Sequence, residues 1–215
     1  DKFSKKTYAA NFGEMPHGDI KEISAYEIPD HDILVAGFPC QAFSQAGLKK
    51  GFNDTRGTLF FEIQRILAIK QPKMFLLENV KQLKGHDKGN TLKVILDVLQ
   101  GNNAELPMGI SLSKESREAL AKRLNYWCDY RVLTSKDFGV PQNRQRLYIV
   151  GFNRSYFQNN SIEKSVFDSS LLKIYMEFWD GHRNRLGILH YEYLIKTLLI
   201  MILLLIKFLY FLLFN

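Results

Sequence analysis

Ile33-Leu34-Val35-Ala36-Gly37-Phe38 is a continuous apolar run held between Asp32 and Pro39. It is short and rich in branched side chains, the pattern of a strand covered on both faces. Toward the C-terminus, residues 39–57 carry Gly47, Gly51 and Gly57 among mixed polar residues and read as loop. Residues 58–70 then place Leu59, Ile63, Ile66 and Leu67 at helical spacing. Residues 74–77 (MFLL) form a second apolar run, introduced by Pro72 and ended by Glu78-Asn79. Residues 91–99 predict a helix with Leu92, Ile95, Leu96 and Leu99 on one face, and 101–109 a break. Ser113 is a candidate N-cap for a helix running to about residue 124. Residues 130–133 and 147–152 predict two more strands, separated by Gly139 and Pro141. Toward the N-terminus, residues 1–12 predict a short helix with Phe3, Tyr8 and Phe12 as its apolar positions, ended by Gly13 and Pro16. Strands alternating with helices predict an α/β fold with a mainly parallel sheet.

The 215 residues are 46% hydrophobic and 24% charged, a balance that suits a folded domain rather than a disordered chain. The formal net charge of +7 suits a polyanionic partner. The two cysteines, Cys40 and Cys128, are far apart, which excludes a disulfide framework and zinc-ligand spacing and fits a cytoplasmic chain. The opening residues have no signal-peptide pattern, and the chain does not open with Met. Residues 155–170 are polar and broken, as in a linker. Residues 198–214 are almost wholly apolar but carry Lys207, whose mid-span cost is about 2.5–3.5 kcal/mol. This tail is expected to be aberrant rather than a membrane anchor.

Cys40 and Glu78 each follow the carboxyl end of an apolar strand. Ligands bind at that edge of an open parallel sheet, so a thiol and a carboxyl group are expected to share one crevice.

The surrounding residues sharpen this. Gly18-Asp19-Ile20, Gly37-Phe38-Pro39-Cys40-Gln41-Ala42-Phe43-Ser44, Asp54-Thr55-Arg56-Gly57-Thr58-Leu59-Phe60, Glu78-Asn79-Val80 and Gln142-Asn143-Arg144-Gln145-Arg146 stand in this order. Over residues 1–152 they resemble the C5 cytosine DNA methyltransferase family and its GDI, PCQ, ENV and QxRxR motifs. The resemblance implies a Rossmann-like methyltransferase core, S-adenosylmethionine as cofactor and double-stranded DNA as substrate, with no metal. It implies Cys40 as the nucleophile on cytosine C6, a step that makes C5 enamine-like and splits one hard transfer into easier ones. It implies Glu78 as the proton donor to N3, Arg146 as the cation at O2, and Arg144 as a support for its loop. Asn79 is expected to orient the neighbouring backbone. Asp19 would hydrogen-bond the adenine amino group, with Ile20 and Leu59 lining the same pocket. The target base must leave the stack. The segment 41–57 would close over it, with Gln41, Ser44 and Arg56 on the DNA and Lys49 and Lys50 as further candidates for phosphate.

The sequence departs from the family pattern at both ends. The glycine-rich FxGxGG loop with its flanking strands, and the C-terminal closing segment, have no counterpart here. Residues 101–126 look like an insertion. The expected organisation is a partial catalytic core (1–154), the start of a target-recognition region or linker (155–190) and the apolar tail (191–215). The expected product is a monomer that binds S-adenosylmethionine very weakly and methylates little or not at all alone. A restriction–modification enzyme is the leading reading. A tRNA methyltransferase and a non-catalytic DNA-binding remnant remain as alternatives.

Overall fold

The computed structural model describes residues 2–39, 59–104, 106, 112–138 and 141–159. The chain divides into two compact units, Asp1–Gly18 with Ile162–Asn215, and Asp19–Ser161.

In the first unit, α1 (Lys2–Phe12) sets Tyr8 against Phe12, the rings tilted at 47° with centroids 4.6 Å apart. It stops where expected: Gly13 takes φ +73° and its N–H closes on the Ala9 carbonyl at 2.9 Å, a left-handed cap that glycine adopts without strain.

The second unit is built on a sheet. The described strands are β1 (Ile33–Gly37), β2 (Met74–Val80), β3 (Tyr126–Thr134) and β4 (Gln145–Asn153), in the order β1-β2-β4-β3. Helices α2 (Leu59–Lys70), α3 (Asn90–Gln100) and α4 (Lys114–Ala121) pack with one sheet face in a single apolar cluster. Leu34, Phe75, Leu77, Leu147 and Ile149 come from the sheet, and Phe60, Phe61, Leu67, Ile95, Leu99 and Ala119 from the helices. The other face carries Met74, Leu76 and Phe152, and Phe152 meets Phe157 of the short α5 (Arg154–Asn159) edge-on at 5.7 Å.

The α/β class stands, but the expectation of a mainly parallel sheet is corrected. β1 and β2 are parallel, while β2–β4 and β3–β4 are antiparallel. A parallel pair needs a crossover of a dozen or more residues, usually a helix. Between β3 and β4 the chain has only residues 135–144, which include a 3-10 turn at Ser135–Phe138, so the strands return antiparallel. β3 and β4 also run longer at both ends than their apolar centres suggested. Asp129 and Arg131 alternate outward on a half-exposed strand, which breaks a continuous apolar run without ending the ladder.

The helices follow their signals closely. Ser113 Oγ accepts the Ser116 N–H at 3.0 Å and caps α4. That helix ends at Ala121 rather than near residue 124. Leu124 is buried but belongs to the loop entering β3, so its apolarity serves the core and not the helix. α3 lies between two left-handed glycines, Gly89 and Gly101.

Candidate active site

β1 and β2 set the first part of the site. Their parallel register aligns Gly37 with Glu78. The Glu78 carboxyl lies over Gly37, where a β-carbon would come within 3.3 Å of Oε2. Glycine at 37 therefore leaves space for the acid. Glu78 sits inside β2, not beyond its tip as the apolar run implied, because the ladder to β4 continues through Val80.

Asn79 points to the opposite face and is 2% exposed. Its Nδ2 donates to the Phe38 carbonyl at 3.1 Å, and its Oδ1 accepts the Val80 N–H at 2.8 Å. This ties the end of β1, immediately before Pro39, to β2. The expectation that Asn79 orients neighbouring backbone is met by these two bonds. Phe38 itself is buried, with its ring 5.7 Å from that of Phe60.

β4 brings the cation. Val80 is aligned with Arg146 and Glu78 with Tyr148, so Glu78 and Arg146 are diagonal neighbours on one face. Arg146 Nε meets Glu78 Oε1 at 2.8 Å, with the two side chains 20% and 25% exposed. Arg146 also donates to the Gln145 carbonyl at 2.9 Å. Burial pushes the Glu78 pKa above the usual carboxylate value, and the charges of Arg146 and Arg144 pull it back without cancelling the effect.

Arg144 lies in the turn leading into β4. Ser135 clamps that turn: its N–H donates to the Arg144 carbonyl at 3.0 Å, its Oγ accepts the Arg144 N–H at 3.1 Å, and the same hydroxyl donates to the Gln142 carbonyl. Sequence reasoning missed Ser135, because a lone serine after a strand carries no distinguishing signal.

A second cluster lies at residues 19–25. Asp19 caps the 3-10 turn Ile20–Glu22, its Oδ1 accepting the Lys21 N–H at 3.0 Å. Ile20 packs partly against the core, and Leu59 opens α2 half-buried. Cys40, Gln41, Ser44, Lys49, Lys50 and Arg56 lie outside the described residues. No helix of the described residues is long and apolar enough to cross a membrane, and the 198–214 tail also lies outside them.

The described site thus joins a half-buried acid, its guanidinium partner and a backbone clamp at one edge of an α/β sheet, with the strand end Phe38-Pro39 leading into position 40. The sequence profile of the C-5 cytosine-specific DNA methylase family matches residues 1–105 and 116–200, and the chain belongs to this family. It is 48% identical over 202 residues to the Type II methyltransferase M.SsoII of Shigella sonnei, covering 86% of this chain and 47% of that protein. It is 51% identical over 201 residues to M1.ScrFI, a Type II methyltransferase of Lactococcus lactis subsp. cremoris, covering 86% and 46%. The solved structure of the Entamoeba histolytica methyltransferase EhMeth shares the fold with a TM-score of 0.50 at 22% identity, over 71% of this chain and 42% of that one. The chain spans about half the length of the curated relatives it matches.

Proposed function

We propose that this chain carries the catalytic centre of a cytosine-5 DNA methyltransferase acting on a cytosine turned out of duplex DNA. The observation that carries the reading is the Glu78–Arg146 pair, half-buried and beside the strand end that leads to Cys40. A pyrimidine set against this edge would meet a proton donor and a cation from adjacent strands.

The steps assigned to the chain follow from those groups. The Cys40 sulfur, as thiolate, bonds to C6, and the electron pair of the C5–C6 double bond moves toward C5. Glu78, with its pKa raised by burial, gives a proton to N3 and lets the ring accept that density. Arg146 lies against Glu78 and supplies the fixed positive charge for O2. After transfer to C5, loss of the C5 proton to a base expels the sulfur and restores the double bond. Arg144 and Ser135 hold the turn that aims Arg146.

S-adenosylmethionine, when bound, supplies the methyl group. The donor set at residues 19–20 fits its adenine end. The turn uses Oδ1 of Asp19, so an exocyclic amino group would be met by Oδ2, with Ile20 beside it; Leu59 is assigned to the same ligand by its place in the motif. Gln41, Ser44 and Arg56 are assigned to the DNA by their place in the motif, and the net charge of +7 favours a polyanion.

A duplex with 5-fluorocytosine at the target position tests the reading. Fluorine at C5 blocks the final elimination, so an active centre is trapped on DNA. A cofactor-dependent covalent adduct that vanishes in Cys40→Ser is expected. An adduct that survives the substitution refutes the assignment.

A further inference from the structure

A buried cation lies outside the catalytic edge. Arg65, in the middle of α2, is 1% exposed, yet the helix around it is apolar or buried on nearly every side. A charge this deep persists only when its donors are met. Nε donates to Glu62 Oε2 at 2.8 Å, one helical turn earlier. One terminal nitrogen, Nη1, donates to the Ile23 carbonyl at 2.9 Å and to Glu115 Oε2 at 2.8 Å. The other, Nη2, donates to the Ile20 carbonyl at 2.8 Å. The guanidinium thus grips both ends of the 3-10 turn whose first residue is Ile20 and whose cap is Asp19.

Glu115, from the first turn of α4, closes the arrangement from the other side. Its second oxygen accepts the Ser24 hydroxyl and the Ala25 N–H, both at 3.1 Å. Glu62 in turn accepts the Ser116 hydroxyl at 3.0 Å. Two carboxylates and two backbone carbonyls surround one planar cation, an arrangement that a lysine cannot reproduce with a single ammonium. Residues 106–115 fall between the two stretches matched by the family profile, so Glu115 stands just before the second of them.

We propose that Arg65 and Glu115 are positioning residues that lock the Asp19–Ile20 turn in the conformation that receives the adenine of S-adenosylmethionine. The segment around α4, which had no role in the sequence, then serves as a buttress for cofactor binding. The inference rests on the adenine reading of Asp19 given above. Neither residue is assigned a contact with cofactor or DNA. Their effect passes through the carbonyls of Ile20 and Ile23 and the amide of Ala25.

The test uses the full chain and S-adenosylhomocysteine as the titrated probe. Arg65→Lys endangers folding, so the main variants are Glu115→Gln and Glu115→Ala, whose side chain is 26% exposed. Glutamine retains an oxygen for Ser24 and Ala25 and turns an amide toward Arg65, which isolates the ionic link. Calorimetry is expected to show S-adenosylhomocysteine binding weakened about ten-fold in both, the range that a lost charged hydrogen bond converts to. Deuterium uptake over residues 19–25 should rise in parallel. Affinity for a cytosine duplex, read by anisotropy, should stay within about two-fold. Asp19→Ala reports in the same titration whether the turn touches the ligand. Wild-type binding with unchanged affinity in both Glu115 variants overturns the inference alone. Equal losses toward S-adenosylhomocysteine and DNA overturn it too, since that marks general unfolding. An Asp19→Ala variant that binds S-adenosylhomocysteine as wild type does removes the adenine reading and this inference with it.

Discussion

Asn79→Ala separates the backbone clamp from the chemistry it supports. The substitution deletes two hydrogen bonds, one to the Phe38 carbonyl and one from the Val80 N–H. Phe38 is buried, so its carbonyl loses its side-chain partner in a place that water reaches poorly. An unsatisfied buried polar group costs about 1–3 kcal/mol, and the Val80 amide is only partly buried, so the sum is about 2–4 kcal/mol. That is a large share of the roughly 5–15 kcal/mol of a typical domain, yet it leaves the chain folded. With a urea slope of about 2 kcal/mol per molar, the midpoint should fall by about 1–2 M. Equilibrium unfolding followed by tryptophan fluorescence reads this directly, because Trp127 is buried in β3. The same variant frees the end of β1 that leads to Cys40, so trapping on a 5-fluorocytosine duplex should slow by at least about ten-fold under native conditions. A midpoint within about 0.3 M of wild type, together with normal trapping, would falsify the clamp.

The other predictions address separate features. Gly37→Ala puts a β-carbon 3.3 Å from Glu78 Oε2; trapping should slow several-fold at a stability cost below about 1 kcal/mol, and an unchanged trapping rate counts against the need for that space. Glu78 has a pKa raised by burial above its ordinary 4.5, so between the two values the folded state holds a proton that the unfolded state has lost. Stability from this group is therefore greatest below that ordinary value and declines as pH rises through the raised one. Glu78→Gln should flatten the decline in urea unfolding measured from about pH 4 to 8, and an identical decline in both proteins speaks against it. Burial holds the Cys128 thiol well above the usual cysteine range, so iodoacetamide at neutral pH should leave it unlabelled in the native protein; rapid labelling at Cys128 in a peptide map would contradict this. In Gly151→Ala a β-carbon would overlap the Phe75 ring in the core, so thermal unfolding should show a loss of about 1–3 kcal/mol, and a neutral result would mean that the ring has room to move.

Much of the site was legible because the motif residues carry their own punctuation. Glu78-Asn79 ends an apolar run, and the arginines flank one as well. The residues that support them were not legible. Arg65 is one basic residue in an apolar helix, and sequence alone assigns such a residue to solvent. Only the meeting of α2, α4 and the 19–25 segment shows that it is buried among carboxylates and carbonyls. Glu62, three residues before it, was the available signal, since an acid and a base at that spacing face one another on a helix. Ser135 and Gly37 likewise acquire meaning from partners that are distant in the chain.

The sequence by itself located the four strands and helices α1 to α4, since burial periodicity and capping are local properties, while α5 lies in a stretch whose polar residues read as linker. It also determined the chemical groups available: a thiol, an acid and two guanidiniums in fixed order. Tertiary structure decided the strand directions, with β4 inserted antiparallel between β2 and β3. It decided that Glu78 and Arg146, 68 positions apart, become an ion pair at 2.8 Å. Local pattern fixes how each segment folds. Register across a sheet depends on which neighbour a strand finds, and that choice is made by the whole core at once.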